Sequence, residues 1–341
     1  MQNSSPHSLK GVGLVVIGRN EGERFVSCLA SLPIDVPAVY VDSGSTDDSV
    51  ANAQAANVRV VHLSNDAGFT AARARNLGWR TLTEKFPNLD FIQFIDGDCS
   101  LDSGWLGEAL VAIDQNDQLA VVFGRRRERY PYLSFYNGQC DREWDVPIGE
   151  VLTCGGDALM RVAALDKVGG YNDQLIAGEE PDLCLRMRSL GWRIRRIKSE
   201  MTLHDAAIFT FGGWWQRAER AGHAYAEHVF MHGRSAIPSW SRALASMLVW
   251  GFLFPCVIIF GATLGFSSNR IWFFLPLTVG MIYVLQFLRL LRQTKALGFS
   301  VEVSRAEAFF LLVAKFAQCA GAAIFLRNSI RGKRPVLMEY K

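Results

Sequence analysis

Three groups of acidic residues stand where an apolar, strand-like run gives way to a helix-like segment. They are Asp42 after VYV, Asp96 with Asp98 after FIQFI, and Glu179 with Glu180 before a helical pattern. Carboxylates accept hydrogen bonds from hydroxyl groups, hold divalent ions and remove protons. Open α/β sheets bind ligands beyond the carboxyl ends of their strands. The pattern therefore predicts one ligand site at such an edge.

The first two groups each have a functional and a purely structural interpretation. Asp96 closes an apolar strand, Gly97 permits a bend and Asp98 projects beyond it. One carboxylate can then reach a ribose while the other holds a divalent ion that bridges two phosphates. An ordinary strand followed by an Asp-Gly turn, without any ligand, would have the same sequence pattern. Asp42, followed by SGST, can bind a nucleobase or ribose, or it can serve only in a turn.

The third group lies at the predicted start of a helix. Pro181 suits the first helical position and Gly191 the helix end. The positive end of the helix dipole stabilises negative charge, so Glu179, Glu180 and Asp182 can simply be a well-formed helix start. The functional interpretation is that one of these three carboxylates is a general base that removes a proton from a hydroxyl group.

The elements that must position these residues alternate between strands and helices up to about residue 240. The strand-like runs GVGLVVI, AVYVD, VRVVHL, FIQFID and LAVVFG are separated by helical patterns. Such alternation predicts an open α/β domain whose mainly parallel sheet is covered by helices. The first connection lacks G-x-G-x-x-G, and G-x-x-x-x-G-K-[ST] is absent from the sequence, so dinucleotide and P-loop sites are not expected.

The composition excludes several classes of protein. Half of the 341 residues are hydrophobic (50%), which excludes a disordered chain, and the net charge of +3 does not suggest nucleic acid as a partner. The seven cysteines are never spaced C-x-x-C, which favours a reducing compartment. The apolar run after the polar N-terminus is too short for a signal peptide, so we expect the start of the chain to stay in the cytoplasm.

Three apolar runs in the last hundred residues indicate a membrane. Residues 243–266 and 271–288 are long enough to cross a bilayer, whereas residues 306–326 are interrupted by Lys315 and Gln318. We expect two transmembrane helices and a third helix that either lies in the interface or spans. Apolar core helices of a soluble domain are the alternative. The predicted domains are therefore 1–240, which is catalytic, and 241–341, which is the membrane anchor.

Basic residues support two spans, because cytoplasmic loops are rich in Lys and Arg. Two spans keep both basic clusters on the same side as the globular part, whereas a third span would place the second cluster outside. The clusters are Arg289, Arg292, Lys295 and Arg305 after the second run, and Arg327, Arg331, Lys333 and Arg334 after the third.

The chain resembles the family-2 glycosyltransferases, whose catalytic domain has the glycosyltransferase A fold. The resemblance covers about residues 11–230 and is greatest to bacterial membrane-anchored members. Processive synthases of the family carry Q-x-x-R-W, but the matching region here reads GGWWQRAERAGHAYAEH, so a chain-extruding synthase is not expected. The matching segments, in the family's order, are VVIGRNEGERFVSCLASL, VYVDSGSTDDS, AARARNLGW, FIQFIDGDCSL, GGDALMRVAALDKVGGYND and AGEEPDLCLRMRSLGW.

The resemblance implies a role for each matching residue. Asp42 would contact the base or ribose, Arg75 would lie near the nucleotide, and Asp96 would bind the ribose. Asp98 and His204 would hold a divalent ion, Mn²⁺ or Mg²⁺. Glu180 would be the base, and Glu179 and Asp182 stay candidates because many members have Asp where this chain has Glu. Apart from the resemblance, the basic run 125–127, with Arg129, can face phosphates of the donor or of a lipid-phosphate acceptor. A solvated strand end and contact with anionic lipid headgroups are the alternatives.

The resemblance also implies an activity and its partners. The enzyme would be an inverting glycosyltransferase that moves a sugar from a nucleotide-sugar donor to a hydroxyl group of a glycan or lipid-linked acceptor in cell-surface glycan synthesis. The alternatives are sugar transfer to polyprenyl phosphate and a non-catalytic, membrane-bound nucleotide-sugar-binding protein. The expected location is the cytoplasmic (inner) membrane, with the catalytic domain facing the cytoplasm.

Overall fold

A computed structural model describes residues 9–234 and 236–332. Its internal contacts divide the chain into two compact units, the first ending at Ala207 and the second beginning at Ile208. This contact boundary precedes residue 240, because the helix after Ile208 packs against the apolar C-terminal helices.

The described part of the first unit contains a nine-stranded sheet whose strand order is β3-β2-β1-β4-β8-β6-β9-β5, with β7 paired to β9. The pairings give β1 to β4, β6 and β9 one direction, while β5, β7 and β8 run the opposite way. This confirms the mainly parallel sheet predicted from the sequence, and the three antiparallel strands make the sheet mixed. The strands are β1 (Val12–Gly18), β2 (Ala38–Asp42), β3 (Arg59–His62), β4 (Phe91–Asp96), β5 (Cys99–Leu101), β6 (Leu119–Glu128), β7 (Gly149–Val151), β8 (Ala158–Arg161) and β9 (Arg193–His204).

Helices connect these strands, as the alternating pattern predicts. Two boundaries differ from the prediction. Strand β6 continues through Glu128, beyond the predicted LAVVFG, and the helix expected to begin at Pro181 begins at Glu179. Pro181 is tolerated there because backbone N–H groups of the first helical turn have no partner within the helix. The helices are α1 (Glu23–Ala30), α2 (Ser49–Ala55), α3 (Ala71–Lys85), α4 (Trp105–Asp114), α5 (Phe135–Glu143), α6 (Val162–Val168) and α7 (Glu179–Ser189).

The packing of α3 on the sheet positions one residue of the site. Strand β1 is buried over most of its length, as its continuous apolar run predicts. A side chain at Gly78 would meet Val41 Cγ2 at 3.1 Å and overlap Val15, so glycine lets α3 approach β1 closely. Arg75 lies three residues earlier, on the same helix face as Gly78. It is therefore held against the sheet, with only 3% of its surface exposed.

The second unit is helical in the residues that the structure describes. Of its helices, three stretches are long and apolar enough to cross a membrane: Pro238–Ser267, Arg270–Ala296 and Val301–Ile330. The third stretch is the helix expected either to lie in the interface or to span the membrane. Which of the two positions it takes stays a prediction. Lys333 and Arg334 lie outside the described residues. The elements are α8 (Phe211–His232), α9 (Pro238–Leu248), a π-helical turn (Val249–Leu253), α10 (Phe254–Ser267), a 3₁₀ turn (Arg270–Phe273), α11 (Phe274–Ala296) and α12 (Val301–Ile330).

Helix α8 crosses α12 at two glycines. A side chain at Gly222 would overlap the backbone of Gln318, and one at Gly321 would overlap the backbone carbonyl of Glu219. Trp214 and Phe310 add an edge-to-face ring contact at 4.8 Å. Because the two backbones approach so closely, α8 is part of the second unit together with the apolar helices.

Candidate active site

The carboxyl ends of strands β4, β6 and β9 bring the central residues of the site to one edge of the sheet. These strands run in the same direction and end at Asp96, Glu128 and His204. His204 is the register partner of Glu128 on β6 and of Cys99 on β5. The sheet itself thus places the strand-end aspartates beside the histidine, although more than a hundred residues separate them along the chain.

Asp98 and His204 lie side by side in a buried position. His204 Nε2 is 3.3 Å from Asp98 Oδ2. Burial and the positive charge of Arg126 lower the pKa of His204, so its imidazole is neutral at neutral pH and can donate a lone pair. One ligand atom each of Asp98, Cys99 and His204 lies within 4.8 Å of the others. Burial raises the pKa of the Cys99 thiol well above its usual value, so the carboxylate and imidazole are the better ligands.

A second acidic group contains Asp96, Cys99 and Asp157, again with ligand atoms within 4.8 Å of one another. It already has a cation: Arg126 Nη2 is 3.1 Å from Asp96 Oδ2, and its Nε is 3.5 Å from Asp157 Oδ2. Asp157 also accepts hydrogen bonds from the backbone N–H of Asp96 and from the Thr202 hydroxyl. This group therefore braces the end of β4, and a metal ion fits better at Asp98 and His204.

Arg75 joins the end of β4 to the start of α7. Its Nη2 is 2.8 Å from Asp96 Oδ1, and its Nη1 is 3.1 Å from Glu179 Oε1 and 2.9 Å from Glu180 Oε1. Gly156 lies directly against this guanidinium, where a side chain would overlap Arg75 and come within 2.9 Å of Asp96 Oδ2. In the structure Arg75 thus bridges three carboxylates. Its position near a nucleotide stays a prediction.

The environment of Glu180 suits proton transfer near neutral pH. Burial raises the pKa of Glu180 to about 7, the negative charge of Glu179 adds to the rise, and Arg75 opposes it. The side chain keeps 13% exposure, so it remains reachable from solvent. A carboxylate with such a pKa is matched to the task of a general base.

Asp182 has a different setting from the two glutamates before it. It is 1% exposed, and its Oδ2 lies 2.7 Å from Arg186 Nη2 on the next helical turn. Arg186 in turn donates hydrogen bonds to the carbonyl oxygens of Val168 and Gly170. These contacts tie α7 to the end of α6, so the structure does not bring Asp182 into the group around Arg75.

Asp42 lies at the same sheet edge as Asp96, two strands away. It pairs with Gly18 on β1, whose neighbour Ile17 pairs with Asp96. Two strand spacings separate the backbones of Asp42 and Asp96 by roughly 10 Å. Burial would raise the pKa of Asp42, but hydrogen bonds from Ser45 and its neighbours outweigh this and lower it. Asp42 is therefore ionised and well held, in keeping with both a turn and a ligand contact.

The basic run after LAVVFG has internal partners. Besides the contacts of Arg126, Arg125 Nη2 is 3.1 Å from Asp141 Oδ2, and Arg127 Nε is 2.6 Å from Glu200 Oε2. Arg129 donates to the Ser100 hydroxyl. The run is thus engaged with the protein's own polar groups, and its contact with phosphates or with lipid headgroups stays a prediction.

Sequence reasoning left Glu128, Asp157 and Trp144 out of the site. The structure places Glu128 Oε2 3.5 Å from His204 Nδ1, and the Trp144 ring lies edge-to-face on the imidazole at 4.7 Å. Asp157 carried a usable signal, because it ends the GGD triplet within one of the matching segments. Glu128 carried none, since it follows three arginines beyond an apolar run.

Comparisons with known proteins point to one family. Residues 15–169 match the family described as Glycosyl transferase family 2, and residues 125–285 match Glycosyl transferase family group 2. Over 216 residues the chain is 29% identical to the pre-mycofactocin glycosyltransferase of Mycobacterium tuberculosis, an alignment covering 58% of this chain and 43% of that protein. An uncharacterized glycosyltransferase of Mycobacterium bovis is 29% identical over 182 residues, covering 51% and 78%. The chain spans less than half the length of the first relative.

A solved structure shares the fold. The mannosyltransferase from Pyrobaculum calidifontis, in complex with GDP-Man and Mn²⁺, matches with a TM-score of 0.58 and 16% identity, covering 94% of this chain and 88% of that one. At this identity the likeness concerns the fold alone, a mixed, mainly parallel sheet with flanking helices.

Proposed function

Because the chain belongs to the family-2 glycosyltransferases, we propose that it transfers a sugar, with inversion, from a nucleotide-sugar donor to a hydroxyl acceptor in cell-surface glycan synthesis. One observation carries the proposal. Arg75 lies 2.9 Å from the candidate base, Glu180, and 2.8 Å from Asp96, two residues before the candidate metal ligand Asp98. The candidate base would thereby be held beside the strand end that carries the candidate metal ligand.

A divalent ion fits this site. Asp98 and His204 offer a carboxylate oxygen and a neutral imidazole nitrogen 3.3 Å apart, both buried. This mixed ligand set suits Mn²⁺, and Mg²⁺ is the alternative. When bound, the ion would stabilise the negative charge that develops on the diphosphate of the departing nucleotide.

Glu180 would act as the general base in a single displacement. Its carboxylate accepts the proton of the acceptor hydroxyl, whose oxygen forms a bond to the anomeric carbon. The bond from that carbon to the diphosphate oxygen breaks, and its electron pair leaves with the nucleoside diphosphate. Attack on the face opposite the leaving group inverts the anomeric configuration. The raised pKa of Glu180, about 7, supports this role, because it matches the operating pH of a base.

The nucleoside would lie along the sheet edge between Asp42 and Asp96. The backbones of the two residues are two strand separations apart, roughly 10 Å. In this arrangement Asp42 would contact the base or ribose and Asp96 the ribose. Arg75 would then act from beneath the donor, because its contacts to three carboxylates hold Asp96 and Glu180 in place.

The second unit would anchor the enzyme in the cytoplasmic membrane, with the site on the cytoplasmic side. The support is three helices long enough to span and the basic residues that follow the second. A membrane anchor favours a glycan or lipid-linked acceptor that is itself at the membrane. The same observation favours a second candidate function, transfer of one sugar to polyprenyl phosphate.

A transfer assay tests the proposal. The full chain in lipid nanodiscs is given a panel of nucleotide-sugars with Mn²⁺ and, separately, a polyprenyl phosphate or a lipid-linked glycan. We expect transfer from one donor, with inverted configuration in the product by NMR. Product only on polyprenyl phosphate would favour the second candidate. Donor binding without transfer to any acceptor would contradict an enzyme and favour the binding-protein alternative, whereas a product of retained configuration would contradict direct displacement.

A further inference from the structure

Glu128 is a buried carboxylate directly behind the candidate metal ligand. Glu128 and His204 end neighbouring parallel strands as register partners, so their side chains share one face of the sheet. Glu128 Oε2 is 3.5 Å from His204 Nδ1, whereas Nε2 on the opposite side of the ring faces Asp98. The imidazole therefore lies between two carboxylates, of which only Asp98 belongs to the proposed metal site.

We propose that Glu128 is a positioning residue that holds His204 with its proton on Nδ1 and its Nε2 lone pair directed at the divalent ion beside Asp98. This role rests on the metal site proposed above. Histidines that bind metals generally donate their other N–H to a carboxylate, a backbone carbonyl or water, which selects the tautomer and orients the ring.

The surroundings hold Glu128 in the required place. Its Oε2 accepts the backbone N–H of Ala206 at 2.9 Å, and its Oε1 accepts the backbone N–H of Tyr130 at 3.0 Å and Asn137 Nδ2 at 3.4 Å. Charge-assisted hydrogen bonds of this kind offset the cost of burying a carboxylate. The donors leave Oε2 with acceptor capacity on the side of His204, where an N–H is the complementary partner.

The imidazole ring is held as firmly as the carboxylate. Trp144 lies edge-to-face on His204 at 4.7 Å, and Arg126 lies over the Trp144 ring at 4.9 Å. These contacts oppose rotation of the ring, so exchanging its two nitrogens would require Trp144 to move. A neutral imidazole has one N–H, and only a proton on Nδ1 both satisfies Glu128 and leaves Nε2 unprotonated for a metal.

A binding measurement tests this role without using activity. We would titrate Mn²⁺ into the purified full chain by isothermal calorimetry for wild type, Glu128→Gln and Glu200→Gln. Glu200 lies on β9 and pairs with Arg127 at the surface, so its substitution is a matched control. The amide introduced by E128Q can present N–H to Nδ1 of His204 and favour the wrong tautomer. We expect E128Q to bind Mn²⁺ about 10–100-fold more weakly and E200Q to bind as wild type.

The outcomes separate this role from the metal site itself. Equal Mn²⁺ affinity in E128Q and wild type would overturn the role of Glu128 and leave the metal site intact. Failure of the wild-type protein to bind Mn²⁺ would overturn the metal site, and the role of Glu128 with it. A drop of equal size in E200Q would show a general effect of charge on β9 and would also overturn the role.

A second measurement does not depend on the folding of a variant. The wild-type chain, labelled with ¹⁵N at its six histidines and kept free of metal, reports the tautomer of each ring by ¹H–¹⁵N correlation NMR. His204→Gln identifies the signals by their loss. We expect the His204 proton on Nδ1; a proton on Nε2 would overturn the proposal.

Discussion

Nη1 of Arg75 lies 2.9 Å from Oε1 of Glu180, and Nη2 of the same guanidinium lies 2.8 Å from Oδ1 of Asp96. One buried cation thus links the start of α7 to the end of β4. The link explains how the candidate base and the strand-end aspartates keep a defined separation although they lie far apart along the chain.

Arg75→Ala should destabilise the first unit. The change leaves Asp96, Glu179 and Glu180 close together without their common cation, and breaking a buried ion pair in this way costs about 3–5 kcal/mol. Chemical denaturation followed by circular dichroism measures the loss. Arg80→Ala, on the exposed side of the same helix, is the control; an R75A protein as stable as R80A would contradict the bridging role.

Glu180→Gln should remove the base and keep the fold. We expect kcat to fall by about 10²–10⁴-fold, the usual contribution of a general base. In the wild type, kcat/KM should rise with pH and level off above about 7, because Glu180 accepts a proton only when ionised and its pKa is about 7. A wild-type kcat/KM that does not fall below about pH 7 would contradict the role of Glu180 as the base.

The raised pKa of Glu180 also makes the stability of the fold depend on pH. Folding raises the pKa of Glu180 from 4.5 to about 7, so the folded state favours the protonated form. The stabilisation is fully present below pH 4.5 and is lost as the pH rises through about 7. Glu180→Gln mimics the protonated form, so its stability relative to wild type should increase between pH 5 and pH 8.

Glu179→Gln separates the two neighbouring glutamates. The charge of Glu179 raises the pKa of Glu180, so its removal should move the acid limb of the kcat/KM profile to lower pH while activity persists. Asp182→Asn is the comparison, because Asp182 pairs with Arg186; it should reduce stability and leave the limb in place. Loss of activity in E179Q by about 10²–10⁴-fold, with activity retained in Glu180→Gln, would identify Glu179 as the base.

Gly156→Ala should disturb the site through shape alone. The added methyl group would overlap Arg75 and lie 2.9 Å from Asp96 Oδ2, and forced crowding of this kind costs about 1–3 kcal/mol. At Gly155 a methyl group would meet nothing within 4 Å. We therefore expect kcat/KM to fall in G156A and to stay near wild type in G155A. Equal activity in both variants would show that the guanidinium moves freely.

The sequence predicts the strand-end residues well because local pattern determines them. Asp42 and Asp96 end apolar runs that can only be buried strands, and the alternation of elements sends those ends to one edge. Helix α7 was also expected, since its carboxylates precede an apolar stripe and Gly191 follows it. The fold class alone was therefore enough to predict that the strand-end aspartates and the carboxylates of α7 lie close together.

The contacts between distant strands could not be predicted in the same way. Strand β6 pairs with β9 across sixty-odd residues, and its last residues are RRRE, a charged run that gives no sign of such a pairing. Those arginines are held in the strand by Asp141, Asp157 and Glu200. Glu128 comes directly after these arginines and is the register partner of His204. Its position therefore depends on strand pairing rather than on its neighbours in sequence.

Metal-dependent binding of the nucleotide tests most directly whether the acidic residues form one site. We would measure thermal unfolding of wild type and Asp98→Ala with a panel of nucleoside diphosphates and nucleotide-sugars, each with and without Mn²⁺. A ligand at a hundred times its Kd stabilises a protein by about 2.7 kcal/mol. We predict such a shift in the wild type for one nucleotide, only with Mn²⁺, and its loss in D98A with the ligand-free unfolding temperature unchanged. A shift that persists in D98A, or a wild type that no nucleotide stabilises, would contradict the site.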